Sequence, residues 1–268
     1  MRKPPSMAAF DCEGPELISK WMQRWMVAAV AVGALATGCT VSARAQAESP
    51  VQSAAEHHPW QYGVELQGGN GLTDNRGGFH FLMAGVQGSK VLTPQIGNGL
   101  LRGNFAYGVE IFPFWQSYTP HFQRANCYAT QQPGTSLVGP GTYCTPLFTV
   151  GGTYTGASIT PVIFRWNFTS GKRWMPWVQG AGGLIWTNHK YPAFGSDVLN
   201  LNNDGPGANT SVWNFTPQFG VGTHYFVKPK RSIDFGANAI HVSSASLGDK
   251  NPGVNASVQV SLGYSWWK

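Results

Sequence analysis

Charge is what this chain has least of. Only 11% of its 268 residues are Asp, Glu, Lys or Arg, about half the share of an ordinary globular domain. Such scarcity excludes disorder, which needs high charge and few aromatics; here aromatics make up 13%. Long apolar runs are scarce too. A polytopic helical membrane protein repeats runs of roughly 20 apolar residues, and one candidate is present, close to the N-terminus. The bulk of Ala, Glu, Lys and Leu that marks a coiled coil is also missing. Cysteine occurs four times. What is plentiful is glycine, 34 residues, with aromatics and small polar side chains. That is the composition of an all-β protein, and few charges with many aromatics suit a transmembrane barrel.

The lone apolar run reads as a targeting segment. Lys20 and Arg24 precede an uncharged stretch from Trp25 to Ala43, and Ala45-Gln46-Ala47 supplies a small-x-small cleavage site. This is the layout of a secretory signal peptide cut after Ala47. An N-terminal anchor and a lipoprotein box at Ala36-Thr37-Gly38-Cys39 are the competing readings. The expected organisation is a signal peptide over 1–47, a short linker over 48–59 and a barrel over 60–268. Removing the leader leaves 13 basic and nine acidic residues, net +4. The remaining cations fall in small groups such as Lys172-Arg173 and Lys228, Lys230 and Arg231. No basic stripe points to nucleic acid. Cys127 and Cys144 stay in the exported part, where two leftover cysteines most simply form a disulfide. No Cys or His has metal-site spacing, so neither metal nor cofactor is expected.

Alternation is the main structural signal. Val254, Ala256, Val258, Val260, Leu262, Tyr264 and Trp266 hold the even positions of the chain's end, and small or polar residues hold the odd ones. Similar patterns mark eight candidate strands: 60–70, 79–90, 101–114, 156–168, 174–187, 211–227, 232–243 and 254–267. Eight is the smallest common size of an outer-membrane barrel. Two of the odd-numbered connections, 115–155 and 188–210, are very long, whereas the even-numbered ones are short. Outer-membrane barrels have long extracellular loops and short periplasmic turns, so the N-terminus belongs on the periplasmic side. Trp60, Trp115, Trp174, Trp186, Trp266 and Trp267 near strand ends fit interface girdles. The rival is a soluble secreted sandwich or lipocalin-like barrel, which alternates with its apolar face inward. Periodicity does not separate the two. The polar face here is built of small and amide residues rather than Lys and Glu, which favours a packed polar lumen.

Within this frame one pair stands out. His241 and Ser243 are two residues apart and so share a strand face. A His beside a Ser hydroxyl is the minimum for an activated oxygen nucleophile. His-x-Ser is common by chance, and the context sharpens it. The apolar parity of this strand is Ile233, Phe235, Ala237 and Ala239, and His241 and Ser243 continue it. An ionisable group facing lipid is costly and is by default a functional candidate. His57 and His58 read as solvated linker. His80, His121, His189 and His224 have no paired spacing and read as structural. Glu110 and Arg165 fall on lumen faces, where an ion pair is expected.

The pair His241-x-Ser243, the Asn251-Pro252-Gly253 turn and the last strand ending in Tyr264-Ser265-Trp266 together resemble the C-terminal signature of the PagL family. The resemblance covers about residues 231–267. It implies an eight-stranded outer-membrane barrel without a metal, hydrolysing the ester-linked 3-O-acyl chain of lipid A. It implies His241 as general base and Ser243 as nucleophile. The acid that orients the His in the family corresponds to Asn255, which can orient an imidazole through its carbonyl oxygen; Asp249 is the nearest carboxylate in sequence. Ser244 and Ser246 stand where the family has Asn and Gly near the oxyanion, and backbone N–H groups can serve there. The implied partners are lipopolysaccharide in the outer leaflet and the membrane itself, with a homodimer as an allowed assembly. A non-catalytic structural or lipid-binding barrel that has lost a complete site is the alternative.

Overall fold

The computed structural model describes residues 49–73, 76–125, 127–130, 141–144, 146–192, 211–245, 247 and 255–268. The proposed leader lies outside them. The eight barrel strands are β1 (Trp60–Gly71), β2 (His80–Val91), β3 (Gly103–Arg124), β6 (Phe148–Phe168), β7 (Trp174–Tyr191), β8 (Ser211–Lys228), β9 (Arg231–His241) and β10 (Ala256–Trp267). A two-stranded hairpin, β4 (Cys127–Thr130) and β5 (Gly141–Cys144), stands apart within the long connection between β3 and β6. Neighbours pair antiparallel in chain order, and β1 closes on β10. Closure leaves the sheet without an edge.

Which face points inward settles the choice between membrane and soluble barrel. On β10, Ser257, Gln259 and Ser265 are at most 2% exposed, while Val258, Val260 and Leu262 are 39%, 62% and 52% exposed. Phe219, Val221, Phe235, Leu66 and Val64 likewise face outward. A soluble barrel would bury these side chains, so the apolar wall is a lipid-facing one.

The lumen is filled in three layers. Phe79, Phe81, Met83, Phe112, Trp115, Val150, Tyr154, Ile185, Tyr191 and Val242 form an apolar plug at the end bearing the long loops. The middle is polar, and the notch cut by Gly222 and Gly236, which face each other across β8 and β9, admits the Trp177 indole. A Cβ on Gly222 would lie 2.3 Å from that ring. The opposite end is closed by helix α1 (Pro50–Glu56), whose Val51 and Ala54 pack with Val91, Ala106, Met175, Phe226 and Trp267. This helix occupies the stretch expected as a linker. Ser49 caps it by accepting the Gln52 N–H at 3.2 Å, and Pro50 starts its first turn, both favourable at a helix N-terminus.

β3 and β6 run well beyond their expected spans of 101–114 and 156–168. Pro113 and Pro161 lie within the expected strands, and Pro120 in the connection expected between them. In the barrel all three fall at register shifts, between Phe112 and Trp115, Thr119 and Phe122, and Ile159 and Val162. A residue without an N–H fits a bulge, where no ladder bond is owed.

Candidate active site

The outward parity of β9 carries past its end. Asp234, Asn238 and Ile240 are buried, as are Val242 and Ser244; between them His241 and Ser243 are half-buried. The pair therefore lies on the outer wall, at the end of the barrel that bears the long loops. Backbone bonds fix the segment from both sides. The Val242 N–H donates to the Asn255 carbonyl at 2.9 Å. Ser243 exchanges both bonds with Phe215 of β8, at 2.7 and 2.9 Å. The chain then turns sharply: Ala245 has φ +46°, a conformation uncommon outside Gly, Asn and Asp. In that turn the Ala245 N–H donates to Ser243 Oγ at 3.2 Å. Ser243 Oγ is thus an acceptor here, which is compatible with its O–H donating elsewhere. Trp213 and Phe215, 50% and 40% exposed, and Val258 at 39% make the nearby wall apolar.

Asn255 does not join the pair. It stands across the ladder from Val242, and residues opposite each other point to the same face. Its side chain is accordingly inside the barrel, 3% exposed. There it faces the Tyr191 hydroxyl, with Nδ2 short of a formed hydrogen bond. This corrects the expectation that Asn255 orients His241 through its carbonyl oxygen. Ser244 is 2% exposed, and its carbonyl accepts the Leu247 N–H at 2.9 Å. Its side chain too is on the lumen parity. Ser246, Asp249 and the Asn251-Pro252-Gly253 turn lie outside the described residues. Among the described residues the carboxylates Glu65, Glu110 and Asp234 line a small internal cavity, and Glu56 ends helix α1. None stands on the outer wall beside His241.

The lumen holds a second polar constellation, which the sequence reading missed. His224 Nδ1 lies 2.7 Å from Asp234 Oδ1. Asp234 also accepts from Ser232 at 2.7 Å, from Gln61 at 3.4 Å and from Ser265. The signal for it was hairpin symmetry: positions 224 and 234 are equidistant from Pro229, at the β8–β9 turn, and face each other in the register. The expected Arg165–Glu110 pair is present at 3.8 Å. Arg165 also donates to Gln179 at 2.9 Å and stacks 4.7 Å from the Trp177 ring centre. These groups are buried inside the barrel wall. Among the described residues no cluster of His, Cys, Asp or Glu could hold a metal ion.

A family model described as lipid A 3-O-deacylase (PagL) matches residues 103–265, from β3 through β10. No curated protein matches. Among solved structures, Neisserial surface protein A aligns at 9% identity and TM-score 0.41, covering 77% of this chain and 96% of that one. The outer membrane enzyme PagL aligns at 16% identity and TM-score 0.35, covering 76% and 98%. OmpT, an outer membrane protein of Vibrio cholerae, aligns at 8% identity and TM-score 0.22, covering 78% and 96%. The family match spans more than half the chain and takes in six of the eight barrel strands, β3 and β6 to β10. The chain therefore belongs to the lipid A 3-O-deacylase (PagL) family and is a β-barrel of the bacterial outer membrane.

Proposed function

We propose that this protein is an esterase that removes the 3-O-acyl chain of lipid A, with Ser243 as nucleophile and His241 as base. The observation that carries the reading is a His and a Ser side by side on the lipid-facing parity of an otherwise apolar wall, within a family of deacylases. A substrate that lies in the outer leaflet meets this wall and has no access to the lumen. In the proposed scheme His241 takes the hydroxyl proton as Ser243 Oγ attacks the ester carbonyl carbon. The tetrahedral intermediate collapses, the sugar oxygen leaves with the proton from His241, and the acyl group stays on Ser243. Water, deprotonated by His241, then attacks the acyl-enzyme; the acyl–Oγ bond breaks, His241 returns the proton to Ser243 Oγ, and the fatty acid is freed. Backbone N–H groups of the turn after Ser243 are the proposed donors to the oxyanion.

The test is mass spectrometry of lipid A from cells expressing the wild type or Ser243→Ala. Loss of one ester-linked acyl chain with the wild type alone supports the reading. An unchanged acyl pattern with a folded wild type defeats it. The second reading, a barrel that keeps the scaffold without catalysis, is favoured by the inward turn of Asn255 and the lack of a carboxylate on the described outer wall. Asp249→Asn separates the two further: a fall in activity would give His241 its carboxylate partner.

A further inference from the structure

The two small cationic groups of the sequence become one surface in the barrel. Lys172 and Arg173 sit in the turn between β6 and β7, and Lys228, Lys230 and Arg231 flank the turn between β8 and β9. All five are exposed. Backbone bonds draw the turns together: the Phe226 N–H donates to the Arg173 carbonyl at 2.9 Å, and the Trp267 N–H to the Lys230 carbonyl at 3.0 Å. The result is an arc along four adjacent strands at the end closed by helix α1. Among the described residues no carboxylate pairs with any of the five; the ion pairs found are in the lumen. Directly above the arc, on the outer wall, Trp174 and Trp266 are 50% and 38% exposed. Each packs against a tyrosine, Trp174 tilted on Tyr225 at 4.6 Å and Trp266 edge-on to Tyr264 at 5.0 Å between ring centres. Indoles and phenols in that position mark the headgroup level of a bilayer. The adjoining turn between β2 and β3 exposes Leu100 at 86% and Leu101 at 72%. Thr169 ties it to the arc through its N–H and the Arg102 carbonyl, 2.8 Å apart. Bare leucines beside bare cations fit a lipid surface and not an aqueous polyanion.

We propose that this arc binds the anionic headgroups of glycerophospholipids in the periplasmic leaflet, anchoring the barrel at a fixed depth. The charge is of one sign, without a carboxylate partner among the described residues, and placed below an aromatic belt, which is the arrangement that attracts acidic lipid. The proposal is independent of any catalytic role for Ser243. It is tested with the refolded full barrel in phosphatidylcholine vesicles containing phosphatidylglycerol, comparing the association of spin-labelled forms of the two lipids. The wild type is expected to prefer phosphatidylglycerol by about threefold or more, as five exposed charges imply, and to lose the preference in about 1 M salt. The combined variant K172Q/R173Q/K228Q/K230Q/R231Q is expected to show none, and Ser243→Ala to keep it. If the combined variant does not fold, the pairs K172Q/R173Q and K230Q/R231Q should each remove part of it. Equal association of both lipids with the wild type would overturn the proposal. So would a preference that survives in a folded arc variant. Vesicles carrying lipid A in place of phosphatidylglycerol form the last arm: if the arc variant loses lipid A alone, the arc serves a different lipid.

Discussion

At the scale of single residues, His241 and Ser243 interrupt an apolar strand face at the end of β9. Ile233, Phe235, Ala237 and Ala239 establish an outward face, and two polar residues continuing it stand out. Ser243→Ala is expected to lower deacylation about 10³-fold or more, the order seen when a nucleophile of this type is removed, with unchanged folding on gels. Asn255 pulls two ways in the sequence, since it falls on the polar parity of the last strand. Its distance from His241 in sequence matches a family pattern, yet the side it faces depends on which residue of β9 it opposes. The register places it opposite Val242, inside. Asn255→Asp is accordingly expected to give no gain in deacylation and no shift of the acidic limb of the pH–rate profile. A gain in both would return Asn255 to the site. Asp234 was invisible as a functional or structural centre, since its partners come from β1, β8, β9 and β10. Asp234→Ala leaves several buried groups unpaired and should cost about 3–5 kcal/mol, read as a lower temperature of heat-induced unfolding on gels.

At the scale of elements, all eight barrel strands were legible in the sequence, with most ends within two residues; the loop-side ends of β3, β6 and β7 were not. β3 and β6 extend through prolines and glycines because bulges absorb them, and a bulge is a property of two strands together. Helix α1 was unreadable for a related reason. It has seven residues, too few to show a helical period, and isolated helices of that length are unstable in water. Its stability comes from docking against Met175, Phe226 and Trp267. Val51→Asp would drive a charge into that fully buried contact. It is expected to cost roughly 2–4 kcal/mol, again measured as a lower unfolding temperature. The β4–β5 hairpin sets Cys127 directly opposite Cys144 in register. The proposed disulfide between them is checked by thiol labelling of the exported protein with and without reductant. Two free thiols in the non-reduced sample would remove it.

At the scale of the whole molecule, the closed sheet explains why so little charge suffices. Among the described residues, charges are confined to the lumen, where Glu110 meets Arg165 and Asp234 meets His224, and to the ends. The wall between is apolar, so the folded barrel should migrate differently on gels before and after boiling. Recovery as a soluble periplasmic species would contradict the membrane assignment. The sequence by itself determined the fold class, the number of strands and the pair of polar residues on one apolar face, because period-two patterning is local and repeats eight times. Tertiary structure alone decided which face of the strands is inside, since alternation is symmetrical between lumen and lipid. It also decided that His224 meets Asp234. Finally, it merged two scattered cationic turns into one arc. These are relations between strands, set by register and closure, and no single strand carries them.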